Sequence, residues 1–177
     1  LKRLGYDAVV TADEKIIRNS DRFIFPGVGE ASSTMAQLRK EGLDQLIREL
    51  TQPVLGICLG LQLMCAHSEE GNTDCISIFD VPVLKFQPKL NVPHMGWNTI
   101  KDVQNHSLFK GVDHDFGFYF VHSFYFECES KENILATSNY GGEFTSAIYS
   151  EHIMGTQFHP EKSHRNGVLL FKNFAQL

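Results

Sequence analysis

The residues best suited to chemistry are one cysteine and a histidine–glutamate pair that lie far apart in the sequence. Cys58 is the centre of the G-x-C-x-G segment at 56–60, a pattern typical of a nucleophile on a sharp turn between a strand and a helix. Small residues are needed on both sides of such a turn, and the start of the helix favours the reactive thiolate. His159 and Glu161 are two residues apart at the end of a predicted strand, so the carboxylate can orient the imidazole. Together these residues predict nucleophilic acyl transfer.

Acyl transfer also needs N–H groups that stabilise the developing oxyanion. Leu59 follows the nucleophile directly, and the P-G-V-G turn at 26–29 offers a second donor near Val28 and Gly29. Glycines on both sides of Val28 allow its peptide to adopt, or flip into, an orientation that other residues resist. A phosphate-binding loop is the alternative, but the sequence contains neither G-x-G-x-x-G nor G-x-x-x-x-G-K-[ST].

The composition predicts one folded domain without affinity for nucleic acid. The chain has 177 residues, of which 42% are hydrophobic and 21% are charged, as in an ordinary globular domain. Its net charge of −5 and pI near 5.9 argue against a protein that neutralises a phosphate backbone. No apolar run is long enough to span a bilayer, and no signal segment opens the chain. We therefore expect a cytoplasmic protein whose partners are small molecules or another protein.

The predicted elements alternate as in a doubly wound α/β fold, with a mixed, mostly parallel sheet flanked by helices. The segment 53–58 is a short apolar run without alternation, which is typical of a strand buried on both faces. Short extended pieces are expected across 81–103, where prolines interrupt the chain. Further strands are predicted at 6–11, 21–26, 116–128, 134–140, 144–150 and 153–158, and helices at 30–50, 59–67 and 164–177.

Motifs across the whole chain, from 1 to 177, resemble those of the class I, or triad, glutamine amidotransferases. The shared motifs are P-G-V-G at 26–29, G-I-C-L-G-L-Q at 56–62 and Q-F-H-P-E-K-S at 157–163. P-H-M-G-W-N at 93–98 and Y-F-V-H-S at 119–123 are similar to the glutaminase subunits of imidazole glycerol phosphate synthases, which serve histidine biosynthesis. The resemblance implies a single flavodoxin-like amidotransferase domain. It also implies hydrolysis of glutamine to glutamate and ammonia, without a cofactor or a metal.

The resemblance assigns a role to each matching residue. It makes Cys58 the nucleophile, His159 the general base and then acid, and Glu161 the residue that orients the imidazole. The positions that match glutamine-binding residues of the family are Gly27, Gln62, Glu70 and Ser123. The positions that match the interface with the cyclase partner, a (β/α)₈ barrel that receives ammonia in a heterodimer, are Met95, Trp97, Tyr119 and Lys162.

Other interpretations of single residues stay open at this point. Without the resemblance, Glu70 is as well explained as a solvated acid in a loop, Trp97 as a core residue and Lys162 as a surface charge. Residues 1–5 resemble the tail of the family's first helix, so its N-terminal strand and the start of that helix are expected to be missing from this chain. Phe124 replaces the tyrosine that is usual in the family.

Three other functions remain possible from the sequence. Another triad amidotransferase or a γ-glutamyl hydrolase would share the architecture, although P-H-M-G-W-N argues against it. A non-catalytic metal or redox protein could use Cys58, His122 and His159, but they lack close ligand spacing. The third is a binding module with a vestigial triad.

The remaining cysteines are scattered and predict reduced thiols, mainly in packing roles: Cys65, Cys75 and Cys128.

Overall fold

The protein is built on a central mixed sheet with smaller sheets and helices around it. The computed structural model describes residues 1–87, 91–101 and 103–177. The strands are β1 (Phe23–Gly27), β2 (Val54–Cys58), β3 (His67–Ser68), β4 (Thr73–Asp74), β5 (Pro82–Lys85), β6 (His94–Asn98), β7 (Phe118–His122), β8 (Phe124–Phe126), β9 (Ile134–Asn139), β10 (Glu143–Ser150) and β11 (Ile153–Thr156). The α-helices are α1 (Glu14–Arg18), α2 (Ala31–Glu41), α3 (Leu43–Glu49), α4 (Leu59–Met64) and α5 (His164–Phe174).

The central sheet has the strand order β1-β2-β11-β10-β9. β2 runs parallel to both of its neighbours, whereas β10 runs antiparallel to β11 and β9. Every residue of β2 is buried, as predicted for the apolar run at 53–58. The other two sheets have the orders β4-β3-β5-β8 and β6-β7. The parallel half of the central sheet therefore ends at Cys58, and the crevice at this edge is where α/β folds bind ligands.

The central sheet separates two apolar clusters. Val54 belongs to the first cluster, and its neighbours Leu55 and Ile57 belong to the second. The first cluster takes its helical side chains from α1, α2, α3 and α4, and the second contains buried residues of β7 and α5. Helices and sheet thus form the layered α/β arrangement predicted from the order of the elements.

Three predicted elements differ from those observed. The helix predicted at 30–50 is two helices, because Gly42 between them has a left-handed backbone with φ 70°. The strand predicted at 116–128 is two strands separated by Ser123, because β7 pairs with β6 whereas β8 pairs with β5. The segment 6–11 has no regular structure, and its apolar Val10 is exposed.

Smaller differences concern the ends of elements. The helix predicted at 59–67 ends at Met64, because the chain turns there to form β3. The strand predicted at 153–158 ends at Thr156, and the helix predicted at 164–177 ends at Phe174. None of the helices in the described parts of the chain is long and apolar enough to cross a membrane.

The contact between α4 and β1 leaves no space for a side chain on Gly60. A Cβ at this position would lie 1.9 Å from the carbonyl oxygen of Phe25 on β1, so the backbone would have to move. We expect Gly60→Ala to lower the free energy of unfolding by about 3 kcal/mol or more. Gly142→Ala is the matched control, since its Cβ meets no atom within 4 Å and its φ is not positive. Urea unfolding measures both, and equal stability of the two variants would contradict the packing argument.

Candidate active site

Cys58 lies on the sharp turn predicted at 56–60. It is the last residue of β2, and α4 begins at the next residue. Its φ of 51° and ψ of −111° are sparsely populated for a residue with a side chain, and such a backbone costs about 1–3 kcal/mol. The elements on either side of the turn pack closely, because a Cβ on Gly56 would lie 2.9 Å from Cα of Leu61 on α4. The thiol is 8% exposed at the end of the strand.

His159 is buried and held from two sides. Its Nδ1 lies 2.6 Å from Oε1 of Glu161, and because a carboxylate accepts, Nδ1 carries the hydrogen. Its backbone N–H donates to the carbonyl of Tyr119 on β7, at 2.8 Å. Within the described part of the chain, Nε2 of His159 is buried without a hydrogen-bond partner. This nitrogen is therefore available to a reacting group.

The charges around His159 favour its protonated form. Burial lowers the pKa of His159 and is the largest single influence, but Cys58 and Glu161 together outweigh it and raise the pKa to about 9. Cys58 and Glu161 thus both favour the charged ring. Burial raises the pKa of Glu161, but the hydrogen bond from His159 and the charges of His159 and Lys162 lower it overall. These influences favour an imidazolium beside a carboxylate.

The candidate oxyanion donors lie beside the nucleophile. β1 and β2 are parallel, with Gly27 paired with Cys58, so Val28 and Gly29 continue past the end of the sheet. Val28 is 84% exposed, and Gly29 has a φ of 122°, which only glycine adopts readily. Leu59 is the first residue of α4. All of these candidates therefore lie at the edge of the sheet where β2 ends in Cys58.

Gln62 bonds to the break between β7 and β8, where Ser123 lies. Gln62 is 4% exposed, and its Nε2 donates to the carbonyl of Phe124, which follows Ser123, at 3.0 Å. The same nitrogen donates to Oε1 of Gln157 at 2.8 Å. The amide hydrogens of Gln62 therefore bond to protein acceptors and hold α4 against the corner that carries Ser123.

Gln157 is a site residue that sequence reasoning did not select. It is fully buried two residues before His159, and its Nε2 donates to Sγ of Cys58 at 3.6 Å. The available signal was its place in the Q-F-H-P-E-K-S segment, on the same side of an extended chain as His159. The thiol of Cys58 in turn donates to the carbonyl of Val121 on β7, at 3.8 Å.

Glu70 lies at the start of α2. Its Oε2 accepts a hydrogen bond from the N–H of Ala31, the first residue of that helix, at 2.8 Å. Burial, opposed by this hydrogen bond and aided by the charge of Glu30, raises the pKa of Glu70. Glu70 is therefore half-buried and bonded to the helix that follows the P-G-V-G turn, rather than a fully solvated acid.

An exposed aromatic patch covers the outer face of β6 and β7. The aromatic patch is defined by five residues: Met95, Trp97, Phe116, Tyr119 and Lys162. Trp97 is 49% exposed and Met95 62% exposed, so neither is a core residue. The Trp97 ring lies 6.1 Å from that of Tyr119 and 6.3 Å from that of Phe116, and Nζ of Lys162 lies 5.5 Å from the Tyr119 ring. Sequence reasoning missed Phe116, which reaches Trp97 only through the fold.

The described residues contain no group of three or more His, Cys, Asp or Glu side chains that could hold a metal ion. Cys58, His122 and His159, which sequence reasoning considered as ligands, instead make separate contacts. His122 bonds to His94 and to the Phe124 carbonyl, and His159 bonds to Glu161.

The charge state of His159 can be measured directly. We expect its imidazole to titrate near pH 9, as followed by histidine NMR. Glu161→Gln should move this midpoint down, because burial then acts against a weaker set of partners. The pKa of His159 in the folded protein is raised above its ordinary value of about 6.5, so protonation of His159 stabilises the fold. This stabilisation is complete below about pH 6.5 and is lost as the pH rises through about 9. Between pH 6.5 and 9, the free energy of unfolding should therefore fall less in Glu161→Gln than in the wild type.

Glu151→Gln is the matched control for this titration. Glu151 lies next to His152 at the surface, with Oε2 4.0 Å from its Nδ1, so the same change of charge is made beside another histidine. The midpoint of His159 should not move in this variant. A wild-type midpoint at or below about 6.5 would contradict the assignment of the charges.

Comparisons with known proteins agree with this architecture. A family model described as Glutamine amidotransferase class-I matches residues 2–177. The imidazole glycerol phosphate synthase subunit HisH of Bacteroides fragilis is 51% identical over 180 residues, covering 100% of this chain and 90% of that protein. The subunit HisH of Haemophilus influenzae is 45% identical over 175 residues, covering 98% of this chain and 87% of that protein.

Solved structures share the fold at low sequence identity. A crystal structure of a glutamine amidotransferase superposes with a TM-score of 0.74 at 16% identity, covering 98% of this chain and 89% of that one. The crystal structure of a putative GMP synthase subunit from Thermoplasma acidophilum gives a TM-score of 0.67 at 20% identity, covering 93% and 75%. Because the family match runs through the predicted nucleophile, its turn and the closing histidine segment, this chain belongs to the class-I glutamine amidotransferases.

Proposed function

We propose that this chain is the glutaminase subunit of an imidazole glycerol phosphate synthase. It hydrolyses glutamine to glutamate and ammonia and passes the ammonia to a (β/α)₈ cyclase subunit in histidine biosynthesis. The observation that carries the proposal is a buried His159 held by Glu161 beside a cysteine on a strained turn. Full-length identity of 51% to a protein named as this subunit supports the choice within the family.

The reaction begins with the sulfur of Cys58. An imidazolium at His159 stabilises the neighbouring thiolate, which attacks the side-chain carbonyl carbon of glutamine. The carbonyl oxygen becomes an oxyanion, and N–H groups at Leu59 and at the Val28–Gly29 peptide lie on the side of the sheet where they can donate to it. Glu161 keeps Nδ1 of His159 occupied, so that Nε2 is the nitrogen that exchanges protons.

Ammonia leaves when His159 acts as an acid. Nε2 gives its proton to the departing nitrogen, the carbon–nitrogen bond breaks, and a γ-glutamyl thioester on Cys58 remains. The neutral imidazole then takes a proton from water, and the hydroxide attacks the thioester carbon. Sγ leaves as a thiolate, glutamate is released, and His159 is again an imidazolium. The raised pKa of His159 suits a cycle that starts and ends in this charged state.

The aromatic patch is the proposed docking surface for the cyclase subunit. It combines exposed aromatic and methionine side chains with a cation at Lys162, a composition that is typical of interface anchors. Its strand β7 is bonded to the catalytic segment through the N–H of His159 and the carbonyl of Tyr119. A partner bound to this face would thus contact β7, the strand that is hydrogen-bonded to the general base His159. The exposed Val28 peptide is the element that we expect the partner to orient.

Glutamate release tests the nucleophile and the partner together. We expect slow hydrolysis of glutamine by the isolated chain and faster hydrolysis when the cyclase subunit and its nucleotide substrate are added. Cys58→Ala should reduce the rate at least about 1,000-fold, because it removes the attacking atom. Cys128→Ala is the control, since Cys128 is a half-buried free cysteine outside the site. Equal rates for wild type and Cys58→Ala would refute the nucleophile, and no response to the barrel would refute the partner.

Loss of the patch's largest side chain tests the docking surface. We expect Trp97→Ala to weaken binding of the cyclase subunit by about 2 kcal/mol or more, measured by titration calorimetry. Ile16→Ala is the control, because Ile16 is similarly exposed at 48% but lies on α1, outside the patch. Equal affinity of the two variants would remove Trp97 from the interface. Alkylation of Cys58 by a glutamine-like reagent reports whether the site remains intact.

A further inference from the structure

Two buried histidines that the mechanism does not use lie behind the active site. His94 on β6 and His122 on β7 are 4% and 5% exposed and are directly paired in the antiparallel sheet. Nδ1 of His94 lies 2.9 Å from Nε2 of His122. The rings packed around the pair are Phe86, Phe120, Tyr140 and Phe144.

The hydrogen bonds of this pair can run in one direction only. Nδ1 of His122 lies 2.7 Å from the carbonyl oxygen of Phe124, which can only accept, so Nδ1 carries the hydrogen and Nε2 is the acceptor. Nδ1 of His94 must then donate to Nε2 of His122. Nε2 of His94 is left as an acceptor, and the amide Nδ2 of Asn98 lies 3.3 Å from it. Both imidazoles are therefore neutral Nδ1–H tautomers.

The Phe124 carbonyl joins this chain to the nucleophile. It accepts one hydrogen bond from His122 and a second from Nε2 of Gln62. Gln62 also donates to Gln157, whose own amide nitrogen donates to Sγ of Cys58. A continuous set of hydrogen bonds thus runs from β6 to the thiol through one backbone oxygen, at the corner that carries Ser123.

Protonation of His122 would break the chain, and protonation of His94 would set a hydrogen against the amide of Asn98. An added hydrogen on Nε2 of His122 would face the N–H of His94, so each nitrogen would present a hydrogen to the other. Burial lowers the pKa of His94 to about 4. Burial also lowers the pKa of His122 to about 3, with smaller contributions from His94 and His159 and against the hydrogen bond to Phe124. The neutral pair is therefore maintained throughout the physiological range.

We propose that His94 and His122 are positioning residues for glutamine hydrolysis, which orient the Phe124 carbonyl and through it Gln62, Gln157 and the corner at Ser123 against Cys58. This inference rests on the proposed function. A purely packing role would be filled better by apolar rings, because buried polar groups cost free energy unless each is bonded. Here every nitrogen of the two rings has a partner, and the bonds end at the thiol.

Three variants test the proposal in complex with the cyclase subunit and its nucleotide substrate. His94→Phe keeps a ring but removes the donor to His122, which frees the imidazole of His122 to change tautomer. His94→Asn keeps a donor at the position of Nδ1. Tyr140→Phe is the control, because it changes a ring stacked on His94 while its lost hydroxyl bonds outside the chain, to the carbonyl of Asn91.

We expect His94→Phe to raise the KM for glutamine about tenfold, the change that one buried hydrogen bond is worth. His94→Asn should keep KM within about threefold of wild type, and Tyr140→Phe should leave it unchanged. Active sites are counted by alkylation of Cys58 with a glutamine-like reagent, so that KM is separated from the amount of folded enzyme. Nitrogen-15 histidine spectra of the wild type should show two neutral Nδ1–H tautomers, and His122 should lose its single tautomer in His94→Phe.

Two results would overturn the inference alone. The first is that His94→Phe has the same KM for glutamine as an active wild-type complex. This result counts against the inference whatever the number of active sites in the variant. The second is a wild-type spectrum with the hydrogen of His122 on Nε2. A wild-type complex that releases no glutamate would instead refute the proposed function, and the positioning role would fall with it.

Discussion

The active site depends on one forced backbone conformation, the left-handed turn at Cys58. The chain leaves β2 with φ 51° and enters α4 at the next residue, a geometry that an isolated peptide would not hold. Burial of β2 between β1 and β11 holds one side of the turn, and the contact between Gly60 and Phe25 holds the other. Tertiary packing thus holds Cys58 in a strained backbone conformation, which places its thiol at the end of the sheet.

β7 connects both the nucleophile segment at Cys58 and the histidine segment at His159 to the surface. Its Tyr119 carbonyl accepts from the backbone of His159, and its Val121 carbonyl accepts from the thiol of Cys58. On its other side, Met95 of β6 is paired with Val121, and Trp97 of β6 is paired with Tyr119. Met95 and Trp97 of the aromatic patch are therefore separated from the nucleophile and base by the single strand β7. Movement of β6 would be transmitted through rigid contacts.

Three buried histidines lie in the same region with pKa values shifted in different directions, lowered for His94 and His122 and raised for His159. Burial acts against protonation of all three, but only His159 has a carboxylate, that of Glu161, within hydrogen-bonding distance. His94 and His122 bond to each other, His94 also to the Asn98 amide and His122 to the Phe124 carbonyl. The neutral form of each ring satisfies these hydrogen bonds. Cys58 and Glu161 thus favour the charged form of His159, whereas the neutral forms of His94 and His122 suit their uncharged partners.

The local features of this protein follow from short stretches of its sequence. Glycine spacing around Cys58, the apolar run of β2 and the proximity of His159 to Glu161 are written into short segments, so the turn, the buried strand and the ion pair could be predicted. The split of 116–128 at Ser123 could not, because alternation along a strand does not say which sheet each half will join. Nor could the roles of Gln157 and His94, whose partners come from distant segments. Only the tertiary structure decides such contacts, since buried polar groups select their partners after the chain has packed.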